Sequence, residues 1–147
     1  MQPFIVRIEK KIKADRQRLF RAWLEPSDFA RWFIAGAQVG IGQVEMDASV
    51  GGAFRIDMIV DGVVRPHEGE FREIDEPSRL VFTWRSHATQ QRETLVTITF
   101  ETINPDESSG SLTLLTLVHQ QLESERQASA HTGGWTSIID HLERFAV

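Results

Sequence analysis

Five histidines, His67, His87, His119, His131 and His141, are the side chains of this sequence best suited by type to proton chemistry near neutral pH. Their spacing shows no paired metal-ligand pattern, and there is no His-Glu-x-x-His run. The chain has no cysteine, which excludes disulfides and thiolate ligands. A closed metal site would need three or four ligands brought together by tertiary structure alone, so neither a metal nor a cofactor is expected. No Ser-His-Asp order, nucleophile elbow or phosphate loop is present. Gly40-x-Gly42 and Gly51-Gly52 lack the following helix that a dinucleotide site requires. No catalytic residue is assigned on this basis, and an enzyme is not the first expectation.

Among the histidines, His131 stands out because it falls one helical turn before Trp135, on the same face. There it can hydrogen-bond a ligand or serve as an acid or base. The plainer reading is a half-buried imidazole satisfied by a backbone carbonyl. Glu68, Glu70 and Glu73 stand with Arg55, Arg65 and Arg72 on central strand segments. Most are expected as cross-strand pairs on a solvated face. One turned inward would orient a polar ligand and have a shifted pKa. Glu70 and Arg55 are the two to inspect.

Positioning these groups falls to a long helix and the strands before it. From Glu123 to Val147, Ala128, Trp135, Ile138, Ile139, Leu142 and Phe145 recur at three- and four-residue steps, one apolar stripe on a helix. Phe4 to Lys13 alternates as a strand with one wet face, interrupted at Lys10. Asp15 is a suitable N-cap for a short helix carrying Leu19, Phe20, Trp23 and Leu24. Pro26 breaks it and opens a second one over Ser27 to Trp32. Gly36 to Gly42 reads as a loop and Gln43 to Asp47 as a short strand, followed by a tight turn at Val50-Gly51-Gly52. Phe54, Ile56, Met58 and Val60 alternate on the next strand, and Asp61-Gly62 fits a type I′ hairpin turn. The returning strand contains Pro66 and Gly69, which predict an edge, a bulge or a bend. Leu80 to Trp84, Thr94 to Glu101 and Leu112 to His119 complete the strands, with polar connections at Ser86 to Gln91 and Asn104 to Gly110. Strands in sequence flanked by helices mean an α+β fold, and residues 1–147 read as one domain. A helix with so broad an apolar face needs a curved antiparallel sheet to cover it, and the space between them suits a small molecule.

Composition narrows the partners. Hydrophobic content of 41%, charged content of 25% and a net charge of −5 describe a globular protein without a phosphate-binding surface. Nucleic acid is therefore not an expected partner. Arg16, Arg18 and Arg21, mixed with Asp15 and Glu25, read as a solvated helix face. No leader and no membrane span are visible, and the default compartment of a cysteine-free chain is the cytoplasm.

One ordered set of residues resembles a known family. It runs from Phe20, Trp23, Pro26 and Arg31-Trp32-Phe33 through Asp47-x-x-x-Gly51-Gly52-x-Phe54, Asp61-Gly62 and Gly69-Glu70-Phe71-x-Glu73-Ile74. It continues in Pro77-x-x-Leu80-Val81-Phe82-x-Trp84 and ends in His131-x-Gly133-Gly134-Trp135 and Leu142. The set resembles the START-like (SRPBCC) superfamily, and within it the family named for the activator of heat-shock-protein-90 ATPase. The resemblance implies a helix-grip fold, in which a curved antiparallel sheet wraps around the C-terminal helix, often over a hydrophobic cavity. Family members include co-chaperone domains, ligand carriers and sequestering resistance proteins, so the resemblance does not select a function. The co-chaperones carry a separate N-terminal domain, whereas this sequence opens on the START-like strand, which argues against a chaperone partner.

The expected cavity walls are Trp32, Phe54, Met58, Phe82, Trp84, Trp135 and Ile138, with Glu70 and His131 as polar contacts. Gly133 and Gly134 either let the helix press on the sheet or open one end of the cavity. The first function expected is binding of a small apolar or aromatic molecule. The alternatives are a cavity enzyme of the cyclase, hydratase or hydrolase kind using His131 or Glu70, and an interaction protein, either chaperone-associated or a homodimer.

Overall fold

Alternating apolar residues build seven strands into one curved antiparallel sheet of order β1-β7-β6-β5-β4-β3-β2. The structure is a computed structural model that describes residues 4–103 and 111–147; the turn expected at Asn104 to Gly110 lies outside the described residues. Strand β1 (Val6–Ile12) leads into helices α1 (Arg16–Ala22) and α2 (Pro26–Trp32). Asp15 takes the N-cap of α1, and Pro26 opens α2.

Strand β2 (Val39–Met46) begins earlier than its glycines suggest. Gly40 and Gly42 weaken intrinsic strand preference, but the ladder with β3 (Ala53–Val60) holds them extended, with a bulge between Ile41 and Val44. Strand β3 turns into β4 (Val63–Asp75) at Asp61 and Gly62, both at positive φ (52° and 76°), as a type I′ hairpin demands. The β3–β4 register is unbroken past Pro66, which lies where β4 runs beyond the end of β5 (Arg79–Trp84). The register shift sits instead between Phe71 and Glu73, on the β5 side. Gly69 answers a different need: a side chain there would collide with the Phe54 ring and the Thr83 carbonyl. Strands β6 (Thr94–Thr102) and β7 (Thr113–Gln120) follow, with a short 3-10 turn at His87–Thr89 after β5.

Helix α3 (Glu125–Ala146) starts at Ser124, whose hydroxyl accepts from the Gln127 N–H at 3.1 Å. Its buried stripe is His131, Trp135, Ile138, Ile139 and Leu142. The C-terminal half is tied down at several points. Lys10, the interruption in the first strand, reaches Asp140 (3.1 Å) and Glu143 (3.3 Å). Ser137 donates to the Ile34 carbonyl at 2.8 Å. Arg18 donates to the Ala146 and Phe145 carbonyls (3.0 and 3.3 Å), a cation placed on the negative end of the helix. No helix among the described residues is long and apolar enough to cross a membrane.

Two glycine substitutions separate these roles. Gly69→Ala is expected to destabilise by about 1–3 kcal/mol through overpacking against backbone. At exposed Gly133 an added methyl meets nothing within 4 Å, so Gly133→Ala should stabilise by up to about 1 kcal/mol and raise Tm by roughly 2–4 °C. Thermal and urea unfolding of the two variants checks both signs.

Candidate functional site

Strand alternation sets the inner face of the sheet. Thr113, Leu115, Leu117 and His119 share that face of β7, and Thr94, Val96, Ile98 and Phe100 share it on β6. An imidazole in such a row is cut off from water and must find partners. His119 does so on both nitrogens. Trp135 Nε1–H donates to its Nδ1 at 3.0 Å. Its Nε2–H donates to Thr94 Oγ1 at 2.7 Å, and the Thr94 hydroxyl donates to the Trp84 carbonyl at 2.6 Å. An indole can only donate and a carbonyl can only accept, so the direction of the whole chain is fixed and His119 is the neutral Nε2–H tautomer. The relay joins α3 to β7, β6 and β5.

Beside this relay lies a cavity of about 130 Å³. Met58 and His67 form its sheet side with Trp84. Ala88, from the turn after β5, and Ala35, after α2, close the flanks. His131, Gly134, Trp135, Ile138 and Ala130 form the helix side. Small residues on three sides leave the space open, and no carboxylate, lysine or arginine lines it among the described residues. A methyl on Gly134 would meet only Ala35, at 3.9 Å, so Gly134 is not forced by packing and its missing side chain leaves space to the cavity.

The two lining histidines are held alike. His131 Nδ1–H donates to the Gln127 carbonyl at 2.7 Å and His67 Nδ1–H to the Arg65 carbonyl at 2.9 Å. Burial lowers the pKa of His131 against the opposing pull of Gln127. Burial also lowers that of His67, with backbone hydrogen bonding to Arg65 and Ile56 opposing and the His131 ring adding to the fall. His119 is pushed down to about 3, first by burial and then by His131, whose ring packs edge-on against it with centroids 4.7 Å apart. All three rings are neutral at pH 7.

The remaining sequence-derived candidates fall into separate places. Phe54 and Phe82 pack with Trp23, Phe71 and Leu80 around a void of only about 20 Å³, on the other side of Trp84. That is room for about one water. Trp23 and Trp84 line this void, and their indole N–H groups are buried without a partner among the described residues, at roughly 1–3 kcal/mol each. Trp32 lines neither space. It donates to the Ala22 carbonyl at 3.2 Å and packs on Trp23 and Phe29, securing the corner between α1 and α2. Glu70 sits opposite Ala53 on the outer face, half-exposed and paired with Arg72 at 3.0 Å. The unbroken β3–β4 register puts it there, because Phe54 and Gly69 hold the inner positions. Arg55 is likewise outward, bound to Asp57 at 2.9 Å. The structure thus brings together Met58, Trp84, His131, Trp135 and Ile138, and adds His67 beside them and His119 behind. His119 and Thr94 could be found from alternation alone, since both continue the buried row of their strand. Among the described residues no group of three or more His, Cys, Asp or Glu is placed to hold a metal.

Comparison with known proteins agrees with this architecture. The model of the family described as activator of Hsp90 ATPase homolog 1-like protein matches residues 13–146. The chain belongs to this family. It is a START-like helix-grip protein, similar in fold to several solved structures. Protein CV1439 from Chromobacterium violaceum matches with a TM-score of 0.83 at 22% identity, covering 98% of each chain. The AHSA1 (SPO3351) protein from Silicibacter pomeroyi matches with a TM-score of 0.77 at 22% identity over 95% of each chain. Protein NE0264 from Nitrosomonas europaea matches with a TM-score of 0.76 at 22% identity, covering 97% of this chain and 93% of the other. At such identities the likeness establishes the fold. Among curated proteins no match is found.

The buried imidazoles make this family member acid-sensitive. Their folded-state pKa values lie below the unfolded value near 6.5, so the unfolded chain binds protons first as pH falls. Their contribution is complete above about pH 6.5 and is lost on acidification, toward about pH 3 for His119, with a slope of about 1.4 kcal/mol per pH unit per ring. His119→Gln keeps an acceptor for Trp135 and a donor for Thr94, and should remove one proton from the slope between pH 6.5 and 5. His119→Leu strands both partners and should cost about 2–4 kcal/mol at pH 7. Urea midpoints across the pH series measure both effects.

Proposed function

We propose that this chain is a binding module for a small, largely apolar or aromatic molecule, taken into the cavity between the sheet and the N-terminal half of α3. The observation that carries the reading is the cavity itself: about 130 Å³, walled by Trp84, Trp135, Met58 and Ile138 and free of charged lining groups. Apolar walls with a few polar groups are the usual make-up of a ligand site. An apolar cavity of similar volume, about 150 Å³, holds one benzene ring. Kept empty, a space of this size costs up to about 3 kcal/mol at roughly 24 cal/mol per Å³. Nearby packing does not demand it, because a methyl added at Gly134 would meet only Ala35, at 3.9 Å.

A second reading has one observation behind it. His131 is neutral, lines the cavity and has one nitrogen uncommitted, which suits a general base. Glu70, turned outward and paired, is not available to complete such a site. The other titratable group lining the cavity among the described residues is His67, a second neutral imidazole rather than an acid, so binding is the better-supported function.

Single-ring compounds should raise Tm and shift the indole N–H signals of Trp84 and Trp135 in ¹⁵N–¹H spectra, leaving Trp32 in place. Multi-ring compounds should do neither, because the cavity is too small. Gly134→Leu should abolish the response in a protein that remains folded. Absence of any response across a panel of single-ring compounds would sink the binding reading.

A further inference from the structure

The cavity is apolar except for two imidazoles, and both are committed in the same way. His131 and His67 each spend Nδ1–H on a backbone carbonyl, at 2.7 and 2.9 Å. A carbonyl accepts only, so in His131, whose single partner is the Gln127 carbonyl, the proton is on Nδ1 and Nε2 carries a lone pair. His131 Nε2 has no protein partner among the described residues and is not among the enclosed unpaired atoms, so it remains accessible on the cavity wall, whereas the His67 ring also meets the Ile56 backbone. Among the described residues the cavity therefore offers an acceptor at His131 and no accessible indole donor: the Trp135 indole is spent on His119, and the Trp84 indole N–H is enclosed. Volume limits the guest to about one ring.

We propose that the site selects a neutral single-ring molecule bearing a hydrogen-bond donor, a phenol or an aromatic amine, whose O–H or N–H is held on His131 Nε2. His131 lines the cavity from the helix side, opposite His67 on the sheet side. The inference rests on the binding reading above and adds the polarity of the ligand to it. An anionic ligand is disfavoured because the His131 lone pair faces it and no lysine or arginine lines the cavity among the described residues. Arg65 shares the strand face of Met58 and His67 but does not line the cavity.

Calorimetric titration of the wild-type protein with phenol, toluene, anisole and benzoate tests this directly. Toluene matches phenol in shape and lacks the donor; anisole keeps the oxygen and lacks its hydrogen. Phenol should bind between about twofold and tenfold tighter than toluene or anisole, the range of one net hydrogen bond, and benzoate should be weakest. His131→Phe should erase the phenol advantage, bringing the phenol-to-toluene affinity ratio to about one, and His131→Gln, which restores an acceptor, should recover it. Toluene equal to phenol, benzoate better than phenol, or an unchanged phenol-to-toluene ratio in His131→Phe would each overturn the inference. Those results leave the binding reading standing, whereas no binding by any of the four removes both. The wild-type comparison stands even if His131→Phe does not fold.

Discussion

One chain of hydrogen bonds fastens the terminal helix to the sheet: Trp135 to His119, His119 to Thr94, Thr94 to the Trp84 carbonyl. The rest of the site depends on it. The N-terminal half of α3 carries two consecutive glycines, which cost it roughly 1 kcal/mol each, so its own helical preference does not hold it in place. The ion pairs of the C-terminal half, from Lys10 to Asp140 and Glu143, are part-exposed and of a kind that contributes little. A buried relay with every donor and acceptor matched is the stronger fastening, because breaking one member leaves its partners unpaired in a medium that cannot solvate them.

The relay also accounts for where the empty space lies. It fixes the height of Trp135 above β7 and turns the His131 edge against His119. Beneath Gly134, with Ala35, Ala88 and Ala130 around it, no side chain is long enough to fill the gap to Met58 and His67. On the other side of Trp84, Phe54, Phe71 and Phe82 fill the groove almost completely. Trp84 is thus a partition between a solid aromatic core and a ring-sized chamber.

The fold was legible in the sequence because its signals are periodic. The α3 stripe, the alternation of Phe54, Ile56 and Met58, and the Asp61-Gly62 turn each specify a local geometry that packing then keeps. The resemblance to the activator family rested on residues in the same order that the family model spans. Less legible was whatever depends on register between strands. Gly69 reads, with Pro66, as an edge, a bulge or a bend; it lies in an unbroken ladder with β3 and makes room for the Phe54 ring, while the shift occurs at Phe71–Glu73. That register decides that Glu70 faces outward and His67 inward. Trp32, Phe54 and Phe82 show the other limit: periodicity says that an aromatic is buried, not whether it meets a neighbour or an empty space. His119 was readable in principle, since it continues the row of Leu115 and Leu117, but its worth comes from Trp135 and Thr94, which only tertiary structure brings to it.

The relay is open to direct measurement through ¹⁵N-resolved imidazole spectra of His119 between pH 8 and 5. The account predicts a neutral ring in the Nε2–H form throughout, with a scalar coupling across the hydrogen bond from the Trp135 indole to Nδ1. A ring that titrates near pH 6.5, or one protonated at Nδ1 while neutral, would mean that Trp135 is not fastened to it and would contradict the account.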